Sequence, residues 1–156
     1  MKKLNAMGIG PRIAIILLPW LALTIFLSVF YRPVFNLTSG NKTYITLAGY
    51  IFLVSGLIFY LATVRFLLKG LKETRLMTGG PYAICQNPLY SSLILFIVPA
   101  VSFLVNSWLI LTTCPTGYIL FKLSIKTEYA ELEKFFGQEY HDYRQRTPEF
   151  FPFLKI

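Results

Sequence analysis

From Leu89 to Phe121 the chain reads LYSSLILFIVPAVSFLVNSWLILTTCPTGYILF, without one charged side chain. As a single helix this run would be about 50 Å long at roughly 1.5 Å per residue, against a hydrocarbon core of about 30 Å. It therefore has to turn, and Asn106-Ser107 is the adjacent polar pair nearest its middle. A tight hairpin there gives two spanning helices, at about residues 89–105 and 107–125. Pro99 and Pro115 predict kinks, with neighbouring side chains satisfying the carbonyls that the prolines leave free.

Two more spans lie upstream. The first runs from about Ile13 to Phe30, behind Lys2, Lys3 and Arg12. Its apolar run is long, and no small-residue cleavage site precedes Tyr31-Arg32-Pro33, so it reads as a retained helix rather than a signal peptide. A polar loop over 31–42 carries the turn-formers Asn36, Ser39, Gly40 and Asn41. The second span runs from about Thr43 to Val64, closed by Arg65, with Phe66, Leu67 and Leu68 extending into the interface. Composition agrees: 55% of the 156 residues are hydrophobic and 14% charged, too few to cover a soluble domain. The expected fold is all-α: a polytopic membrane protein with about four transmembrane helices, a helical hairpin and a cytosolic C-terminal helical tail. No GxxxG pair occurs.

Charge predicts orientation. Basic residues gather before the first span, at Arg65, Lys69, Lys72 and Arg75, and in the tail at Lys122, Lys126, Lys134, Arg144, Arg146 and Lys155. The 31–42 loop has Arg32 and Lys42 alone, and the 106–107 turn has none. The positive-inside rule then puts both termini in the cytoplasm of a multi-pass protein, with the lipid bilayer as its first partner. The net charge of +8 is spread between apolar runs with no nucleic-acid module, so nucleic acid is excluded as a partner. Asn36-Leu37-Thr38 and Asn41-Lys42-Thr43 match the glycosylation sequon on the outer loop. Cys85 and Cys114 form no CxxC pair and have no histidine cluster, so they are expected as free thiols, with no metal site. Cys85 reads as a small buried residue.

The tail has its own pattern. Ile125, Tyr129, Leu132 and Phe136 recur at helical spacing, and Gly137 suits a helix stop. A second short helix holds Tyr140 and Tyr143 and ends before Pro148. Phe150, Phe151, Phe153 and Leu154 read as an interfacial anchor.

If the hairpin forms, the polar segments on its two flanks, 75–90 and 126–143, meet on one side of the membrane. Glycine and proline in the first expose backbone groups, and tyrosines in both offer flat amphipathic surfaces. Glu128 adds a carboxylate. That combination suits a ligand with a planar base, hydroxyls and positive charge. His141 beside Asp142 is the sole histidine and has no partner imidazole, so no catalytic residue is assigned.

These residues also carry a resemblance. Leu76-Met77-Thr78-Gly79-Gly80-Pro81-Tyr82, then Gln86-Asn87-Pro88-Leu89-Tyr90, then Glu128 with Leu132, Phe136-Gly137, Tyr140, Tyr143 and Pro148 occur in order around the hairpin. In this order and spacing the chain resembles the isoprenylcysteine carboxyl methyltransferase family, membrane enzymes that use S-adenosylmethionine and have phospholipid methyltransferases of similar architecture. The likeness covers about residues 60–154; the first helix and outer loop carry none of it. It implies one membrane domain over 1–156, with 1–42 as first helix and outer loop and 43–156 as a methyltransferase-like core.

By that resemblance Thr74, Arg75, Leu76, Met77, Tyr82, Asn87, Pro88, Leu89, Tyr90 and Glu128 would contact S-adenosylmethionine. Ser124, Tyr140, Tyr143 and Arg144 would lie toward a lipophilic or prenylated acceptor, which would enter laterally from the bilayer. Three positions depart from the pattern. Gln86-Asn87 stands for Arg-His, Tyr129 for a second Glu, and Ser124 for a substrate-side Arg. Serine cannot grip a carboxylate bidentately. A lipid amine is therefore the alternative acceptor, and a helical partner protein without cofactor is the alternative to an enzyme.

Overall fold

The computed structural model describes residues 8–154. Lys2, Lys3 and Lys155, used above for orientation, lie outside the described residues. Six helices follow in order: α1 Gly10–Phe30, α2 Thr43–Glu73, the single turn α3 Pro81–Ile84, α4 Pro88–Val105, α5 Trp108–Phe136 and α6 Gln138–Arg146. Among the described residues there is no strand, and α1, α2, α4 and α5 are each long and apolar enough to cross a membrane. The fold is the expected all-α, four-span membrane architecture. Leu18, Ile58 and Leu123 are 61%, 65% and 74% exposed, as lipid-facing side chains are.

Where the long apolar run was expected to turn, it turns. Asn106 adopts φ +60°, a left-handed conformation that asparagine tolerates better than most residues. Its side chain clamps the outer loop from both sides: Oδ1 accepts from the Thr38 N–H at 3.2 Å, and Nδ2 donates to the Thr38 carbonyl at 2.9 Å. Beside it the Ser28 and Ser107 hydroxyls meet at 2.6 Å, and the Ser102 hydroxyl donates to the Ser107 carbonyl at 2.6 Å.

The proline distortions take specific forms. Pro99 has no N–H to offer Leu95, and the turn just before it, Leu93–Ile97, is a π-helix, in which Val98 N–H reaches back to the Leu93 carbonyl. The Ile94 carbonyl accepts instead from Cys114 Sγ at 3.2 Å. Before Pro115, α5 breaks at Thr112, whose own hydroxyl donates to the Leu109 carbonyl at 2.6 Å.

Two boundaries shift. α2 does not stop near Val64 but continues to Glu73, because Lys69, Lys72 and Glu73 share an exposed face while Gly70 is buried. Beyond its break at Thr112, α5 likewise runs on into the tail as far as Phe136, where Gly137 at φ +55° ends it. The tail's apolar end also divides. Phe153 and Leu154 are 81% and 61% exposed, as an anchor requires, but Phe150 is 2% exposed. Its ring centroid lies 4.9 Å from that of Phe121 and 5.0 Å from that of Tyr118, so it is core rather than anchor.

The bundle is ordered α2–α4–α5–α1, with α1 and α2 on opposite flanks and not packed along each other. On α2 the buried residues are Gly49, Gly56, Thr63 and Gly70, one every seven positions. Small residues at that period bring its backbone against α4: a Cβ on Gly49 would meet Leu104 at 3.0 Å, and one on Gly56 would meet Phe96 Cβ at 2.7 Å. α1 runs antiparallel to α5, with Leu17 beside Gly117 and the turn before α1 beside Glu128.

Candidate functional site

At the end of the bundle opposite Asn106, α2 closes on Thr74 in the left-handed region at φ 51°, which reverses the chain. Leu76 then turns into the core, and Met77 lies against Gly70. Gly80, at φ +60°, passes so close to Phe66 that a Cβ would come within 2.5 Å of its ring, so this glycine is required by both backbone and space. The extended Cys85 leads to Asn87, and Pro88 starts α4.

The tail is stitched to this segment. Gln86 N–H donates to the Pro148 carbonyl at 2.8 Å, and Gln86 Nε2 to the Thr147 carbonyl at 2.6 Å. Tyr143 Oη donates to the Tyr82 carbonyl at 2.7 Å, and Ser91 Oγ to the Phe150 carbonyl at 2.5 Å. A side-chain chain runs beneath them. Asn87 Nδ2 donates to Tyr129 Oη at 2.6 Å, Tyr129 Oη donates to Glu149 Oε1 at 3.2 Å, and Lys122 Nζ donates to Glu149 Oε2 at 2.5 Å.

Between these walls lies a cavity of about 1170 Å³ including its open mouth. The 74–90 segment contributes Arg75, Leu76, Met77, Tyr82, Asn87, Pro88, Leu89 and Tyr90 to its lining; α5 contributes Glu128, and α6 contributes Tyr140 and Tyr143. Three other expected residues stand apart. Thr74 is an exposed helix cap, and Ser124 is half-buried on α5 outside the lining. The Arg144 guanidinium stacks 4.6 Å from the Tyr129 ring centroid and 5.8 Å from that of Tyr140, outside the lining as well. His141 is exposed and contacts Gln145 at 2.9 Å. Both cysteines are free, and Cys85 is fully buried.

The electrostatics favour positive or hydroxylated guests. Glu128 accepts from the Ile9 N–H through Oε2 at 3.1 Å; its Oε1 has no hydrogen-bond partner among the described residues. Gln86 Oε1 is buried with no partner among the described residues. Burial pushes the phenols of Tyr82, Tyr140 and Tyr143 well above their ordinary range, with Glu128 adding to the effect at Tyr82, so they stay protonated. Burial also pushes the Cys85 thiol up from its ordinary range. Among the described residues no group of three His, Cys, Asp or Glu could hold a metal.

Known proteins give this cavity a context. The chain is 33% identical over 89 residues to the nickel-cobalt-cadmium resistance protein NccN of Alcaligenes xylosoxydans xylosoxydans, across 57% of this chain and 41% of that protein. It is 31% identical over 90 residues to the cobalt-zinc-cadmium resistance protein CzcN of Cupriavidus metallidurans, with the same shares. Over 80 residues it is 32% identical to the mouse protein-S-isoprenylcysteine O-methyltransferase, across 51% of this chain and 28% of the enzyme. The chain thus spans less than half the length of each relative. No family model and no solved structure matches. The likeness to the methyltransferase is distant, and the chain is as similar to proteins named for metal resistance.

Sequence reasoning missed part of the lining. Gly8 and Gly10 come from the turn before α1, Leu67, Gly70 and Leu71 from the extended end of α2, and Glu131, Leu132 and Phe136 from the end of α5. Gln86 and Tyr129, read from the sequence as departures from a pattern, also face the cavity. Helical spacing from Glu128 would have found Glu131 and Leu132; nothing local marks Gly8.

Proposed function

We propose that this chain is an integral membrane methyltransferase, or the core of one, that moves a methyl group from S-adenosylmethionine to a lipophilic acceptor. One observation carries the reading: segment 74–90 and Glu128, about forty positions apart, wall a single cavity at one end of the bundle. The residues present fit such a cofactor. Glu128 Oε1 and the orphaned Gln86 Oε1 are acceptors for ammonium, amino or hydroxyl groups. Tyr82, Tyr90 and Tyr140 offer aromatic faces to a base and a cation. When bound, the cofactor supplies a methyl group already activated by its sulfonium. The protein then has to orient the acceptor, exclude water and hold the phenols neutral, which the buried tyrosines do. Its basic end is taken to face the cytoplasm.

The cations bear on the acceptor class. Lys122 is paired with Glu149, Arg144 is stacked on tyrosines, and position 124 is serine. Arg75 does bring a guanidinium to the cavity lining, so a lipid amine stands as the second reading beside a prenylcysteine carboxylate, supported by serine at position 124 alone.

Calorimetric titration of the protein in detergent with S-adenosylhomocysteine tests this. The parent is expected to bind. Glu128→Ala should bind about 30-fold more weakly, the scale of a lost charge-assisted hydrogen bond, while Glu133→Ala on the exposed face should match the parent. No binding by the parent would overturn the reading. Transfer of labelled methyl into extracted lipids, compared with small prenylated thiols, then separates the two acceptors.

A further inference from the structure

The turn before α1 belongs to the part of the chain that no motif marks, yet it touches the key carboxylate. Ile9 N–H donates to Glu128 Oε2 at 3.1 Å, across 119 positions of sequence. Gly8 beside it sits at φ +49°, and a Cβ there would come within 2.5 Å of the same oxygen. The turn is anchored: Ile9 and Ile13 are 3% and 5% exposed, in the core cluster that also holds Phe121, Ile125 and Tyr129. Gly10 and Pro11 then start α1, whose 21 residues aim their positive end at the carboxylate.

We infer that the Gly8-Ile9 turn is a positioning element of the cavity, holding Glu128 by Oε2 so that Oε1 meets an ammonium or hydroxyl group of the ligand. The inference rests on the reading of the cavity as a cofactor site. A free glutamate samples several rotamers and must give up that freedom on binding. Pinned by a backbone amide at a helix start, Glu128 has already done so. Glycine at position 8 is the condition for this, because the backbone is left-handed there and the carboxylate occupies the space of a side chain. The two oxygens thereby divide the work, one held by the protein and one left for the guest.

The experiment is a double-mutant cycle read by S-adenosylhomocysteine calorimetry on the full chain in detergent. Gly8→Ala should weaken binding about 10-fold, within the span of one charge-assisted hydrogen bond. Gly8→Asn, which tolerates the left-handed backbone but keeps the collision, should do the same and serves if the alanine variant does not fold. In the Glu128→Ala background neither change should weaken binding further, since a residue acting through Glu128 has nothing left to act on. Losses that multiply with Glu128→Ala would overturn the inference, and so would parent-like binding by both Gly8 variants. If the parent itself fails to bind, the cofactor reading falls, which is a different result from parent binding with silent Gly8 variants.

Discussion

The two ends of the helical hairpin both gather polar side chains in a mostly apolar chain, and they use them in opposite ways. At the Asn106 end the donors and acceptors answer one another: both sides of the Asn106 amide meet Thr38, the Ser28 and Ser107 hydroxyls meet each other, and the Ser102 hydroxyl donates to the Ser107 carbonyl. At the other end the network is left open among the described residues, since Glu128 keeps one oxygen and Gln86 its carbonyl oxygen without a partner there, and both residues face a cavity. A buried polar cluster that satisfies itself holds a turn in place, whereas one that stops short has room for a guest.

The contrast breaks most sharply in alkali. The open end buries Tyr82, Tyr140, Tyr143 and Cys85, whose acid groups burial raises above ordinary values of 10.0 and 9.0. Groups raised on folding contribute stability that is present below the unfolded values and lost as pH climbs past them. Between about pH 9 and 11 the 74–90 segment and α6 should therefore loosen first, ahead of the Asn106 turn, where asparagine and serine do not titrate. Amide exchange or limited proteolysis followed with pH reads this order, and simultaneous loosening of both ends would contradict it.

Asn106→Ala comes next. It removes two hydrogen bonds and puts alanine in the left-handed region, for about 3 kcal/mol of destabilisation in detergent unfolding. S-adenosylhomocysteine affinity of the folded variant should stay at the parent value, because the closed end does no ligand work. Tyr129→Phe is the smallest of the three. It breaks the link between Asn87 and Glu149 and should cost about 1–2 kcal/mol of stability. Because Asn87 and Tyr129 line the cavity, affinity should fall several-fold with it, and a change in one quantity alone would show that this chain of contacts belongs to only one of the two roles.

Much of the fold was legible because length and polarity settle it: 33 uncharged residues cannot cross once, and one polar pair sits where they turn. Segment 74–90 and Glu128 were legible as neighbours for the same reason. The end of α2 was not, because Arg65, Lys69 and Lys72 look like a boundary until Gly70 is seen to be buried between charges that face outward. Gly8 and Ile9 left no trace because the group that matters is a backbone amide, which every residue but proline carries. Phe150 was hidden among similar neighbours, and the departures at Asn87 and Tyr129 looked independent. They touch each other at 2.6 Å, and a separation of 42 positions gives no sign of that.

The glycine seam of α2 has a mechanical consequence. Gly49 and Gly70 are about 30 Å apart along one uninterrupted helix. The contacts at Gly49 and Gly56 thus hold one end of a stiff rod whose other end, packed on Met77 through Gly70 and on Gly80 through Phe66, carries Leu67 and Leu71 to the cavity. The shape of the chamber on that side is decided as much by how closely two backbones meet in the bilayer as by the residues that line it.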